Sequence, residues 1–204
     1  VFALAAAAGL FTLYYFAFLL VSVNLLVFLV LATRLRKGKL AQSALSTGAD
    51  TSHSGALLSE NDKTELGLWL AAQMGAVVLY LPWLPVAWRQ ATDPPVPPWR
   101  TAPQLGQVLV ESWNALSLGQ SADVTRFWPL LLLTLALVAV GVIVSWTKNG
   151  QQRLAAIFLL VATFGPLALI LLASVLTPLY HVRYLFTYSP PFSILLALGL
   201  ATLA

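Results

Sequence analysis

The residues best suited to chemistry stand together late in the chain, in the run Tyr180-His181-Val182-Arg183-Tyr184. Arginine offers a planar fork of donors that fits a phosphate or carboxylate, and a neighbouring histidine adds another donor. His181, Arg183 and Tyr184 are therefore candidate contacts for an anionic group. At the mouth of an apolar run the same residues also read as an interface belt, with the arginine snorkelling to headgroups and the tyrosines lying at headgroup level. The carboxylates Asp93, Glu111 and Asp123 are the next candidates. A carboxylate pair runs acid–base chemistry when the pKa values of its members are pushed apart, but these three are widely spaced in polar surroundings and read as solvated loop acids. His53 stands between Ser52 and Ser54 with no second ligand-type residue near it. Cysteine is absent, which excludes disulfides, thiolate metal sites and cysteine nucleophiles. No glycine-rich phosphate loop, nucleophile elbow, metal-spaced histidine set or dinucleotide fingerprint occurs, so no metal or cofactor is expected.

The elements that must position these residues are membrane elements. Hydrophobic residues make up 59% of the chain and charged residues 9%, with a mean hydropathy of +0.85. A water-facing domain needs about 25% charged residues to wet its surface. Lipid is the solvent that suits this composition. The net charge of +4 does not point to nucleic acid, because the basic residues form no face interleaved with aromatics. They cluster at the ends of apolar runs, where loops on the cytoplasmic side of a membrane collect Lys and Arg.

An all-α polytopic bundle of transmembrane helices is the expected fold, in a single domain. The first apolar run, 1–33, would rise roughly 50 Å as one helix against about 30 Å of hydrocarbon. Thr12, Tyr14 and Tyr15 interrupt it, which gives the end of one helix over 1–13, a turn, and a span over 16–33. A polar loop over 34–65 follows, then spans at about 66–88, 128–146, 154–176 and 185–204. Pro82 and Pro85 break the helix as it leaves the bilayer beside Trp83 and Trp88. Residues 90–127 form a second polar segment, opening with the stiff stretch 94–100. Leu105, Val108, Leu109, Trp113 and Leu116 recur there at spacings of three and four. That is the stripe of an amphipathic helix over roughly 103–117, lying on the membrane surface with Leu109 and Trp113 turned toward lipid or the bundle. Asn24 is the strongly polar side chain deep in an apolar run and reads as a bond to a neighbouring helix rather than a ligand contact. The spans hold no charged residue, which disfavours a proton-coupled pump or an ion channel. The chain opens Val1-Phe2 and closes inside an apolar run at Ala204, so it is expected to be part of a longer protein.

Four short segments in order resemble bacterial polytopic GT-C glycosyltransferases of the dolichyl-phosphate-mannose mannosyltransferase type. They are Thr12-Leu13-Tyr14-Tyr15-Phe16-Ala17-Phe18, Tyr80-Leu81-Pro82-Trp83-Leu84-Pro85, Trp113-Asn114-Ala115-Leu116-Ser117-Leu118-Gly119, and His181-Val182-Arg183-Tyr184-Leu185 followed by Pro190-Pro191. The resemblance implies an enzyme that moves a sugar from a polyprenyl-phosphate carrier to an acceptor on the outer membrane face. It places the family's catalytic acid in a loop upstream of Val1, so no catalytic residue is assigned in this sequence. Leu13 stands where the family often has histidine. Arg183, with His181 and Tyr184, carries over as the contact for the carrier phosphate. The expected partners are membrane lipid and a polyprenyl-phosphate-linked sugar. The alternative, from a different class, is a non-catalytic transmembrane subunit of a larger membrane complex. Either would be a multi-pass protein of the cell membrane.

Orientation follows from the basic residues. Arg34, Arg36, Lys37, Lys39, Lys63, Lys148 and Arg153 fall on one side, and Arg89, Arg100, Arg126 and Arg183 on the other. The richer side is cytoplasmic, which puts 34–65 and 147–153 inside and 90–127 and 177–184 outside. Cysteines introduced at Ser43 and Ser121 are expected to react with an impermeant thiol reagent from opposite sides of the membrane. Labelling of both from one side would overturn the span count.

Overall fold

The computed structural model describes residues 1–13, 15–45, 60–92, 104–175 and 179–203. Tyr14, His53, Asp93, the proline-rich stretch 94–100 and residues 177–178 lie outside the described residues. The chain is all-α, with no strand among the described residues. Its helices are α1 (Phe2–Thr12), α2 (Phe16–Leu45), α3 (Glu60–Tyr80), α4 (Leu84–Thr92), α5 (Leu105–Ser117), α6 (Val124–Thr147), α7 (Gly150–Ala173) and α8 (Ser189–Ala201), with 3₁₀ helices at Leu81–Trp83 and Val182–Tyr188. Four helical stretches are long and apolar enough to cross a membrane: Leu66–Gln90, Val124–Thr147, Gly150–Ala173 and Val182–Ala201. This is a membrane protein by that measure. Two further apolar helices, Phe2–Thr12 and Phe16–Leu31, are shorter.

The breaks fall where the backbone requires them. Leu13 caps α1 in an extended conformation and α2 starts three residues later, as the interrupted first run implies. Pro82 sits inside the 3₁₀ helix Leu81–Trp83, which separates α3 from α4. Pro129 lies inside α6, and Phe127 just before it leaves helical geometry at φ −109° and ψ 15°. A proline cannot donate the helical bond and crowds the carbonyl four residues back, so the first turn of α6 kinks away from the rest. Asp123 caps that turn, its Oδ1 accepting from the Thr125 N–H at 2.8 Å and the Thr125 hydroxyl at 2.7 Å. These bonds hold its carboxyl below the usual carboxylate range.

One sequence expectation needs correction. The segment 34–65 is not loop throughout, because α2 runs on to Leu45 and α3 begins at Glu60. Leucine, lysine, arginine, alanine and glutamine are good helix formers, and extending an existing helix is far easier than starting one. The helix therefore continues through the basic cluster.

The chain divides into two compact units. One comprises 1–14 and 24–93, the other 15–23 and 94–204. In the first, α1 packs against α3. Ala6, Ala7 and Ala76 are buried, and a Cβ on Gly75 would come within 3.3 Å of Ala3 Cβ. Phe11 meets the rings of Tyr80 and Trp83, with centroids 5.4 and 5.9 Å away. Asn24 bonds a neighbouring helix as its sequence context implies: its amide donates to Gln73 Oε1 at 3.2 Å and accepts from Gln73 Nε2 at 2.9 Å.

In the second unit α8 packs against α6 and α7. Val138, Phe192 and Leu195 form a buried core, with Trp113, Leu116, Val142, Leu159, Leu160, Phe164 and Leu196 packed around it. The α6–α8 crossing is backbone on backbone. A Cβ on Gly141 would lie 2.7 Å from the Gly199 nitrogen, and one on Gly199 would run into the Leu137 carbonyl. Where lipid surrounds helices, such close packing of small residues is the main source of their association.

The amphipathic helix expected over 103–117 is present as α5, and of its stripe Val108 is buried while Trp113 and Leu116 pack against the core. Leu105 and Leu109 are exposed, whereas Val108, Ser112 and Asn114 are buried. Polar partners turn the helix. The Trp113 indole N–H reaches the Leu131 carbonyl at 3.1 Å and Thr134 Oγ1 at 3.2 Å, and Asn114 Nδ2 donates to the Ala122 carbonyl at 2.9 Å.

The α6–α8 contact leaves no room for a side chain at Gly199. Gly199→Ala is expected to lower stability by about 1–3 kcal/mol, the usual cost of overpacking. Gly67, with nothing within 4 Å of its would-be Cβ, should accept alanine with a gain of about 0.5–1 kcal/mol. Thermal unfolding of both variants in detergent checks the contrast.

Candidate anion site

The segment before α8 is shaped by prolines. Pro190 and Pro191 lie in the first turn of α8, where a missing N–H is tolerated. Ahead of them the chain winds as a seven-residue 3₁₀ helix, Val182–Tyr188, longer than such helices usually run. His181 begins it in an extended conformation, and its Nδ1 accepts from the Arg183 N–H at 3.1 Å. This bond fixes Nδ1 as an acceptor.

Tyr15 holds this helix in place. It is buried, its hydroxyl donates to the Leu179 carbonyl, and its carbonyl accepts from the Tyr188 hydroxyl at 2.9 Å. The Tyr184 ring stacks on the Tyr15 ring at 4.0 Å and 20°, and the His181 ring lies 5.5 Å from Tyr184. Tyr180 is fixed just as firmly. Its N–H donates to Ser174 Oγ at 3.1 Å, and its buried hydroxyl lies 3.0 Å from Ser112 Oγ. Burial pushes the Tyr180 hydroxyl above its ordinary pKa, the Ser112 bond opposes that, and the charge of Glu111 adds to it.

The structure therefore brings His181, Arg183 and Tyr184 together on one short helix but gives them different surroundings. Tyr184 is half-buried against Tyr15, His181 is half-buried at the cap, and Arg183 is exposed. Phe186, one 3₁₀ turn after Arg183, is exposed as well. Side chains three apart eclipse in a 3₁₀ helix, so a guanidinium and an aromatic ring share one open face. Such a face suits an amphiphilic anion, with the phosphate on the cation and the chain along the ring.

Sequence reasoning missed Gln73, Tyr15 as the anchor of the site, and the position of Glu111. Gln73 could have been found as a second amide in an apolar run. Nothing in the local pattern marks Tyr15 or Glu111, because their partners lie far along the chain. Of the acids, Asp123 is a helix cap, and Glu111 accepts from Gln107 Nε2 at 2.7 Å through Oε1. Among the described residues no group of three His, Asp or Glu side chains could hold a metal ion. No family model, curated protein or solved structure matches the chain. The likeness to the mannosyltransferases stands on the short segments alone.

Tyr15 gives the direct test of how the site is held. Tyr15→Phe keeps the stack on Tyr184 but orphans the Leu179 carbonyl, with an expected loss of about 1–3 kcal/mol. Tyr15→Ala removes the ring too, and the loss should rise to about 3–5 kcal/mol. Unfolding midpoints that do not follow wild type, Tyr15→Phe, Tyr15→Ala in falling order would contradict the anchoring role.

Proposed function

We propose that this chain is the membrane part of a glycosyltransferase that uses a polyprenyl-phosphate-linked sugar on the outer face of the cell membrane, as a multi-pass protein. The observation that carries the proposal is the open face shared by Arg183 and Phe186, held by Tyr15 through Tyr184. A guanidinium with an exposed aromatic side chain three residues on, at the start of the span Val182–Ala201, has the chemistry to hold a lipid phosphate. His181 and Tyr184 flank it, and the four short segments that resemble the mannosyltransferases agree with a carrier of that kind.

A second reading, a non-catalytic subunit of a larger membrane assembly, is favoured by a separate observation. Within Leu66–Gln90 only Ala76 is buried, and Leu68, Leu70, Met74, Val77, Val78 and Leu79 are exposed, an apolar face open to lipid or to a partner.

Carrier titration in nanodiscs decides between them. Losing a charge-assisted bond to an anion costs roughly 1.5–3 kcal/mol, so Arg183→Ala should weaken binding of a polyprenyl phosphate about tenfold or more. Arg183→Lys should recover only part, because lysine keeps the charge without the two-pronged geometry. Equal affinity of wild type and Arg183→Ala would leave Arg183 as an interface anchor and remove the basis of the transferase proposal.

A further inference from the structure

Helix α6 separates its residues by side. Leu131, Val138, Gly141 and Ser145 are buried, whereas Trp128, Leu132, Leu135, Ala139, Ile143 and Trp146 are exposed. The exposed set recurs at spacings of four and three, which is one face of a helix. Trp128 and Trp146 stand about five turns apart on that face, with a rise of about 27 Å between them. The hydrocarbon of a bilayer is about 30 Å thick. Two residues beyond each tryptophan stands an exposed cation, Arg126 at one end and Lys148 at the other, roughly 33 Å apart.

The polar side chains between the two tryptophans are closed within the protein. The Thr134 hydroxyl donates to the Leu131 carbonyl at 2.9 Å, and the Ser145 hydroxyl to the Gly141 carbonyl at 2.7 Å. Helices in lipid associate through small residues and polar groups, and α6 presents these to α8 at Gly141. Its exposed stripe offers leucine and isoleucine instead, which suit acyl chains. The tryptophans make the same distinction. Trp113, packed against the core, gives its indole N–H to the Leu131 carbonyl and to Thr134. Among the described residues the indoles of Trp128 and Trp146 have no such acceptor. At the edge of the hydrocarbon an indole finds one in a headgroup or in water.

We propose that this stripe of α6 docks phospholipid, with acyl chains along Leu132, Leu135 and Ile143 and a headgroup phosphate at Arg126 and at Lys148, in opposite leaflets. The Arg126 guanidinium lies 5.6 Å over the Phe127 ring. Asp123, one turn earlier, accepts at Oδ1 from Thr125. An anionic phospholipid is preferred to a zwitterionic one, whose own ammonium offsets its phosphate. The lipid face is independent of the transferase reading, because an enzyme and a subunit would rest in the same bilayer.

The test quenches the fluorescence of the full chain in phosphatidylcholine vesicles with bromine on the acyl chains, near the esters or near the methyl ends. Trp128→Phe and Trp146→Phe should each remove part of the fluorescence quenched by shallow bromine and none of that quenched by deep bromine. Shallow quenching equal to wild type in both variants would mean that a second copy covers the face, and would overturn the docking. A loss confined to deep bromine would overturn the placement of the tryptophans. The difference between proteins with and without each tryptophan then reads lipid preference at each end. Brominated phosphatidylglycerol should occupy each end about fivefold more strongly than brominated phosphatidylcholine, the attraction of one cation near a membrane surface. Arg126→Gln should abolish the preference at Trp128 and keep it at Trp146, and Lys148→Gln should do the reverse. The retained preference at the far end reports an intact fold. A preference that neither variant changes would overturn the phosphate contacts.

Discussion

A backbone in hydrocarbon has no water to bond, so every polar group within a span must find its partner inside the protein. The hydroxyls of this chain show that constraint. Ser22, Ser145, Thr163 and Ser174 each donate to the carbonyl four residues back, at 2.7–2.8 Å. Asn24 and Gln73 satisfy one another across two helices. The Thr187 hydroxyl oxygen, within the span Val182–Ala201, is the exception, buried with no hydrogen-bond partner. The tightest packing is the α6–α8 crossing, where Gly141 and Gly199 bring two backbones into contact.

The region before α8 departs from this pattern and is where chemistry becomes available. Prolines 190 and 191 delay the α-helix, and the tighter 3₁₀ winding exposes Arg183 and Phe186 while burying Leu185 and Tyr188. This segment has support from outside its own helix. Tyr15 supplies it from far away in sequence, through its hydroxyl, its carbonyl and its ring. Tyr180 supplies it on the other side, through Ser112 and Ser174. The backbone that carries Arg183 is thus tied on both flanks, at Tyr180 and at Tyr184.

Helix α5 buries polar side chains beside part of its apolar stripe, with Val108 buried and Trp113 and Leu116 against the core. Its leucines at 105 and 109 point outward, while Ser112 and Asn114 point in. Burying an unpaired hydroxyl or amide is costly, but burying a paired one is not. Ser112 is paired with Tyr180 and the Asn114 amide nitrogen with the Ala122 carbonyl, while the Asn114 amide oxygen is buried without a partner. Glu111 is the chain neighbour of Ser112, whose hydroxyl meets Tyr180.

Composition and punctuation alone determined the helical membrane class, the end of α1 before Leu13, the break at Pro82, the existence of α5 and the gathering of His181, Arg183 and Tyr184. These are local properties, set by apolar content, by the geometry of proline and by distance along the chain. The bond of Asn24 to another helix was legible because an amide in hydrocarbon must have a partner. Which partner it takes, Gln73, was settled only by packing. Tertiary structure also decided that Tyr15 anchors Tyr184, that Gly199 lies against Leu137 and that Glu111 stands by Tyr180. The spans are apolar on every side, so no periodic pattern tells which face turns inward. Contacts between residues a hundred or more positions apart are fixed only when the helices meet, by which small side chains let backbones approach and which polar groups find each other.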